Sequence, residues 1–187
     1  SIKKKIRKRI GNNLASFINI FYKFYVKSEI TLARFRYNFS RTYTYKQIDS
    51  LDESFNIFWN KASKEWDFIF IRNKKMLSWR FDENPSAYNK IIFKKDSITI
   101  GYIVYTYSYE DDSRIIIADF LFLKGHYKAF DYSLFILKEI ALKKGISGIS
   151  LWNSLRSGFT KILFKNRFYK NNEVPIIVDN GNNEIME

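Results

Sequence analysis

The chain has 187 residues, enough for one domain with a sizeable core plus an appendage, and its 46% hydrophobic and 19% aromatic content excludes a disordered polymer. The absence of cysteine excludes disulfides and cysteine-based zinc sites and fits a reducing compartment; with one histidine besides, no metal site is expected. The formal charge of +13 is lopsided: residues 1–46 hold 12 Lys/Arg against one acid, Glu29, while the remainder holds 20 Lys/Arg against 18 acids, so the basic character belongs to the N-terminal segment and not to a nucleic-acid-binding stripe on the globular part.

The chain opens on Lys3-Lys4-Lys5-Ile6-Arg7-Lys8-Arg9. Residues 13–26 then read as an amphipathic helix, with Leu14, Phe17, Ile18, Phe21 and Tyr25 on one stripe. Asn19 and Lys23 interrupt its apolar character and no small-residue cleavage site follows, so it is not read as a signal peptide; no stretch is apolar for long enough to span a membrane. Residues 27–42 read as a helical continuation or connector. A helix is expected over 51–62, capped by Ser50, then a short strand over Phe68–Ile71 and a helix over Lys74–Arg80 that ends before Asn84-Pro85. Tyr88–Lys95 and Ile98–Tyr109 read as strands joined by a turn at Lys95-Asp96-Ser97; the second is apolar on both faces, as a central strand should be. Arg114–Leu123 is a further buried strand. A helix over Lys128–Lys144, with Ala129, Tyr132, Phe135 or Ile136, Ile140 and Lys143 at helical spacing, ends at Gly145 and leads to a parallel strand at Gly148–Trp152. Thr160–Lys165 and Val174–Val178 read as two last strands. The expected fold is an α/β, mainly antiparallel mixed sheet with helices on both faces, divided into a basic segment (1–46), a domain (47–180) and a frayed tail (181–187).

Particular residues carry a family resemblance. Arg72 followed by Leu77-Ser78-Trp79-Arg80-Phe81, Asn84-Pro85 and Tyr88 resembles the Trp-Arg…Pro…Tyr signature of a GNAT-like acyltransferase family often associated with bacterial surface-polysaccharide genes. Gly101-Tyr102-Ile103-Val104 and Ala118-Asp119-Phe120-Leu121 resemble its next strands, and Gly158-Phe159 resembles the pair that GNAT chains often carry before their last strand. The resemblance covers about residues 47–178. It implies transfer of an acyl group from acetyl-CoA or another acyl-CoA to a small polar acceptor, a sugar in surface-polysaccharide synthesis. It also implies a tandem protein of which this chain, beginning at Ser1, is the C-terminal half, the N-terminal GNAT-like half being missing.

On that resemblance the CoA pyrophosphate sits on backbone N–H groups where a strand meets a helix N-terminus. The loop Lys124-Gly125-His126-Tyr127, running into Lys128, stands there, although Phe122 replaces the usual Gln/Arg and Tyr127 the usual small residue. Lys124, Gly125, His126 and Lys128 are therefore cofactor-binding candidates, with Asn153 after the parallel strand, whose alternative role is helix capping. His126 is also a candidate base, against the plain reading of an exposed loop histidine. Asp119 is a candidate catalytic or substrate-binding carboxylate, or a structural partner of Arg80 or of a backbone amide. Tyr169 is a candidate proton donor to the leaving thiolate. Trp79, Arg80 and Tyr88 are candidates for substrate binding, or form a buried structural clamp. Residues 1–26 suit an anionic membrane surface, which would place a cytoplasmic protein at the inner face of the membrane; the competing readings are packing against the missing half and nucleic-acid binding. A non-catalytic GNAT-like module docking on a catalytic half remains the alternative function.

Overall fold

A computed structural model describes residues 42–67, 69–108, 114–153 and 157–170, together with Phe24, Ser28 and residues 31–35 of the basic segment, which are helical. Apart from Phe24, the helix expected over 13–26 lies outside the described residues. So do the strand expected at Val174–Val178 and the tail.

Five strands form one sheet in chain order: β1 (Thr44–Ile48), β2 (Asn89–Lys95), β3 (Ile98–Tyr107), β4 (Arg114–Phe122) and β5 (Gly148–Leu151). The first four are antiparallel in sequence, and β5 joins β4 in parallel. Helices α1 (Ser54–Ala62) and α2 (Lys74–Phe81) connect β1 to β2, α3 (Tyr127–Lys143) crosses from β4 to β5, and α4 (Thr160–Lys165) follows β5. The two faces carry different layers. Tyr102 on β3 packs on Phe55 and Phe58 of α1, with ring centroids 5.6 and 5.9 Å apart. On the other face Phe120 and Phe122 of β4 meet Phe130 of α3 at 4.9 and 5.5 Å.

Local chemistry accounts for much of this. The β2–β3 turn places Asp96 (φ 48°) and Ser97 (φ 66°) in the left-handed region, as a two-residue hairpin turn requires. Gly101 stands in the middle of β3 because a Cβ there would lie 2.1 Å from the Phe122 ring. The Asn73 side chain caps α2 by accepting from the Met76 amide at 2.9 Å. Lys90, only 4% exposed, pairs with Asp82 at 3.0 Å and ties β2 to the end of α2.

Several expectations are corrected. Ser50 does not cap α1; the helix starts at Ser54, whose amide donates to Asp52 at 2.9 Å. Residues 69–72 form no strand. Thr160–Lys165 is helix α4 and not a strand: Asp131 of α3 accepts from Lys165 Nζ (2.8 Å) and Asn166 Nδ2 (2.6 Å), which docks the segment as a helix despite its β-forming residues. Gly158-Phe159 consequently precede a helix. The buried side of α3 is Ala129, Phe130, Ser133, Leu134, Phe135, Ile136, Leu137 and Ala141; of the expected stripe Ala129, Phe135 and Ile136 are buried, Tyr132 and Ile140 are half-buried, and Lys143 is exposed. Strand β1 was not anticipated and crosses the boundary drawn at residue 46; its exposed, polar face shows no alternation, and its pairing with β2 defines it.

Candidate functional site

Strand β4 is bent at one position. Val104 of β3 pairs with Asp119 and Tyr105 with Ile117, so Ala118 is an extra residue outside the ladder, a β-bulge. The parallel pairing with β5 stops at the same place, at Ile117 and Leu151. Beyond it, β4 runs on to Phe122 with its outer edge unpaired by β5, and the two strands splay apart.

Phe159 fills this splay. It is 4% exposed and touches Phe120 of β4 (5.3 Å), Phe130 and Tyr127 of α3 (4.8 and 5.4 Å) and Trp66 (6.4 Å). Tyr127 turns its ring into the same gap, where a Cβ on Gly158 would stand 2.9 Å from its hydroxyl. The Trp66 indole N–H is buried there without a hydrogen-bond partner.

At the end of β4 the Leu123 amide closes on Ile100 O (2.9 Å), and the chain turns through Gly125 (φ 84°) into α3. Nothing lies within 4 Å of where a Gly125 Cβ would be, so the loop surface is open. The His126 amide donates to Leu123 O at 3.1 Å. Among the described residues the amides of Gly125, Tyr127 and Lys128 have no protein acceptor, and the first turn of α3 carries no acid. These are donors with the geometry and dipole suited to an anion. The Lys124 amide is different: it donates to the Glu65 carboxylate, while its ammonium lies 5.1 Å over the Trp66 ring. Partial burial lowers the pKa of His126 below 6.5, helped by the charges of Lys95 and Lys61 and opposed by Glu65. The imidazole is therefore neutral at pH 7, able to accept a proton.

Asp119 sits on the opposite flank of the bulge, 8% exposed. Both its oxygens accept from Arg72 Nε at 3.1 Å, and Oδ2 also accepts from the Tyr102 hydroxyl at 2.9 Å. Burial and the neighbouring carboxylate hold the Tyr102 phenol well above its ordinary pKa. Arg72 donates in addition to Phe70 O at 3.1 Å. The partner of Asp119 is thus Arg72, not Arg80.

Trp79 and Arg80 form no buried clamp: Trp79 is 63% exposed, and the exposed Arg80 guanidinium lies 4.9 Å over its neighbour Phe81. Tyr88 is half-buried, its ring 5.0 Å from Phe81. Asn153 knots the chain ahead of α4, accepting from Ser157 Oγ (2.8 Å) and donating to Thr160 Oγ1 (3.1 Å). Tyr169 is 82% exposed. The structure thus brings Lys124, Gly125, His126 and Lys128 together at one end of the splay and sets Asp119 beside the bulge. It leaves Trp79, Arg80 and Tyr169 at the surface. Glu65 and the bulge at Ala118 escaped sequence reading, since nothing local marks a contact across 59 residues, whereas Arg72 and Gly158-Phe159 stood among the residues that carry the resemblance.

No protein-family model and no curated protein matches the chain. Solved structures do. An aminoglycoside acetyltransferase from an uncultured soil metagenomic sample, in complex with sisomicin, superposes with a TM-score of 0.51 at 8% identity, over 75% of this chain and 96% of that one. A possible acetyltransferase from Clostridium difficile 630 gives 0.51 at 15% identity, over 73% and 99% of the two chains. A probable acetyltransferase gives 0.52 at 14%, again over 73% and 99%. At these identities the likeness is one of fold: the chain has a GNAT-like acetyltransferase fold.

Proposed function

We propose that this domain is an acyl-CoA-dependent N- or O-acyltransferase acting on a small polar acceptor. The observation that carries the reading is the bulge at Ala118, where β4 leaves β5 and its open edge leads directly to the acceptor-free amides at the start of α3. The amides of Gly125, Tyr127 and Lys128, with the ammonium groups of Lys124 and Lys128, would hold the pyrophosphate. The acyl chain would run along β4, with the Ala118 amide at the bulge as the donor to the thioester oxygen. The acceptor nitrogen or oxygen attacks the thioester carbon, the carbon–sulfur bond breaks, and the acceptor's proton must go to a base. Neutral His126 would stand at the pyrophosphate, roughly 13 Å or more of strand from Ala118, and so would contact phosphate rather than take that proton. Asp119, neutralised by Arg72, serves the geometry of β4.

The acceptor class rests on two supports: the signature from Arg72 to Tyr88, which points to a sugar of a surface polysaccharide, and the amino-sugar ligand of one structural neighbour. The basic residues 1–26 support contact with an anionic membrane or with an N-terminal GNAT-like half. Calorimetric titration with acetyl-CoA and free CoA tests the core of the reading. Micromolar binding, weakened about tenfold or more in the Lys124→Ala/Lys128→Ala variant, is expected. No binding by the folded chain or by a protein containing both halves refutes it.

A second reading, a non-catalytic GNAT-like module that completes another half, has its own support: Phe159 occupies the splay, and Glu65 holds one loop amide. It requires that Lys124, Gly125 and His126 tolerate substitution without loss of activity in the complete protein.

A further inference from the structure

At the opposite end of α3 lies a half-open cleft of about 300 Å³. Its walls are Gln47 of β1, Asn89 of β2, Tyr105 and Tyr107 of β3, and Lys143 and Lys144 at the close of α3, with Ile140 as the single aliphatic side chain. The helix has 17 residues and so spans roughly 25 Å, which separates this cleft from the Lys124–His126 loop.

The lining is chemically one-sided. Among the described residues neither Lys143 nor Lys144 pairs with a carboxylate. The acid one turn before Lys143, Glu139, is engaged by Arg34 Nε at 2.8 Å. The Lys144 ammonium instead lies 4.9 Å over the Tyr107 ring. Tyr105 and Tyr107 meet edge to face at 5.9 Å; burial, and then the neighbouring Tyr107, push the Tyr105 phenol up, so it stays neutral. Gln47 Nε2 reaches Asn89 Oδ1 at a long 3.4 Å, which leaves the Asn89 amide N–H groups and Gln47 Oε1 without a protein partner among the described residues. The cleft thus offers two ammonium groups on one side, amide donors and acceptors on another, and an aromatic wall between them.

We propose that this cleft binds a monosaccharide-sized polyhydroxy anion, a sugar bearing a phosphate or carboxylate. Lys143 and Lys144 would take the anionic group, Asn89 and Gln47 the ring hydroxyls, and the half-buried Tyr107 the less polar sugar face, with the buried Tyr105 behind it. A bare inorganic anion would leave the amides and rings unused. A nucleotide exceeds a volume at the bottom of the usual range for ligand pockets, about 300 Å³. Such a site holds a saccharide away from the acyl-transfer loop, as an anchor or effector, and it does not depend on the acyltransferase reading.

The test is titration of the full chain with glucose 6-phosphate, glucuronate, glucose and inorganic phosphate, followed by two-dimensional amide NMR. Saturable binding of glucose 6-phosphate or glucuronate, about tenfold tighter than glucose or phosphate, is expected. It should weaken by about tenfold in Lys143→Ala/Lys144→Ala and in Asn89→Ala, and be unchanged in Lys124→Ala/Lys128→Ala. Both lysines are exposed, so the first variant keeps the fold, and its spectrum verifies this. No saturable binding of either anionic sugar, equal binding of phosphate alone, or loss on changing Lys124 and Lys128 instead would overturn the proposal; the lysines would then serve only the negative end of α3.

Discussion

Two polar clusters flank the bend in β4, and they are built in opposite ways. Around Asp119 both carboxylate oxygens are engaged: the Arg72 guanidinium covers the pair, the Tyr102 phenol adds a third bond, and little of the carboxylate meets water. Around Lys124–Lys128, among the described residues, three backbone amides have no protein acceptor and the Lys124 amide is engaged by Glu65. A buried network with no capacity left holds shape, whereas a half-exposed one with spare donors can take a ligand. The contrast assigns the carboxylate, which in sequence looked most like a catalytic acid, to architecture. The loop, which in sequence departed from its expected pattern, keeps the spare donors on which the binding proposal rests.

The contrast is sharpest at Asp119→Ala, which strands the part-buried Arg72 and the buried Tyr102 hydroxyl. A loss of about 3–5 kcal/mol is expected in urea denaturation, and a loss below about 1 kcal/mol would place the cluster with the adaptable sites instead. Phe159→Ala empties the splay and should cost about 3 kcal/mol by the same measurement; a smaller cost would mean that the gap collapses or is already wet. Glu65→Gln removes the anion at the loop and should tighten CoA binding about tenfold by calorimetry, while unchanged affinity would show that the carboxylate does not compete there. Arg80→Ala, on the exposed side of the signature block, should change stability by no more than about 0.5 kcal/mol; a loss near that of Asp119→Ala would restore it as a clamp.

The smallest effect concerns protons. Because the His126 pKa is lowered below 6.5 by burial and by nearby lysines, the native imidazole binds fewer protons than the unfolded one. Its contribution to stability is full above pH 6.5 and is lost as pH falls through the lowered native value. His126→Gln should flatten the stability profile across that window, and an unaltered profile would remove the imidazole from the argument.

The amino-acid sequence by itself determined the central hairpin, the buried β3 and β4, the parallel β4–α3–β5 unit and the place of the Lys124–His126 loop. Each is written in a local signal: the Asp96-Ser97 turn, runs of apolar β-forming residues, and a helix ending at Gly145. Only the tertiary structure decided that the polar segment Thr44–Ile48 is a strand, because its evidence is the ladder with β2 and not its own pattern. It likewise decided that Thr160–Lys165 is a helix docked through Asp131. Arg72 and Asp119 are 47 residues apart and Glu65 and Lys124 are 59 apart, so neither pair leaves a trace in any local window. Periodicity records which face of a segment must leave water, and it is silent on which distant segment arrives to meet that face; the bend at Ala118, the filling of the splay by Phe159 and the choice of partner for each charge are settled by that meeting.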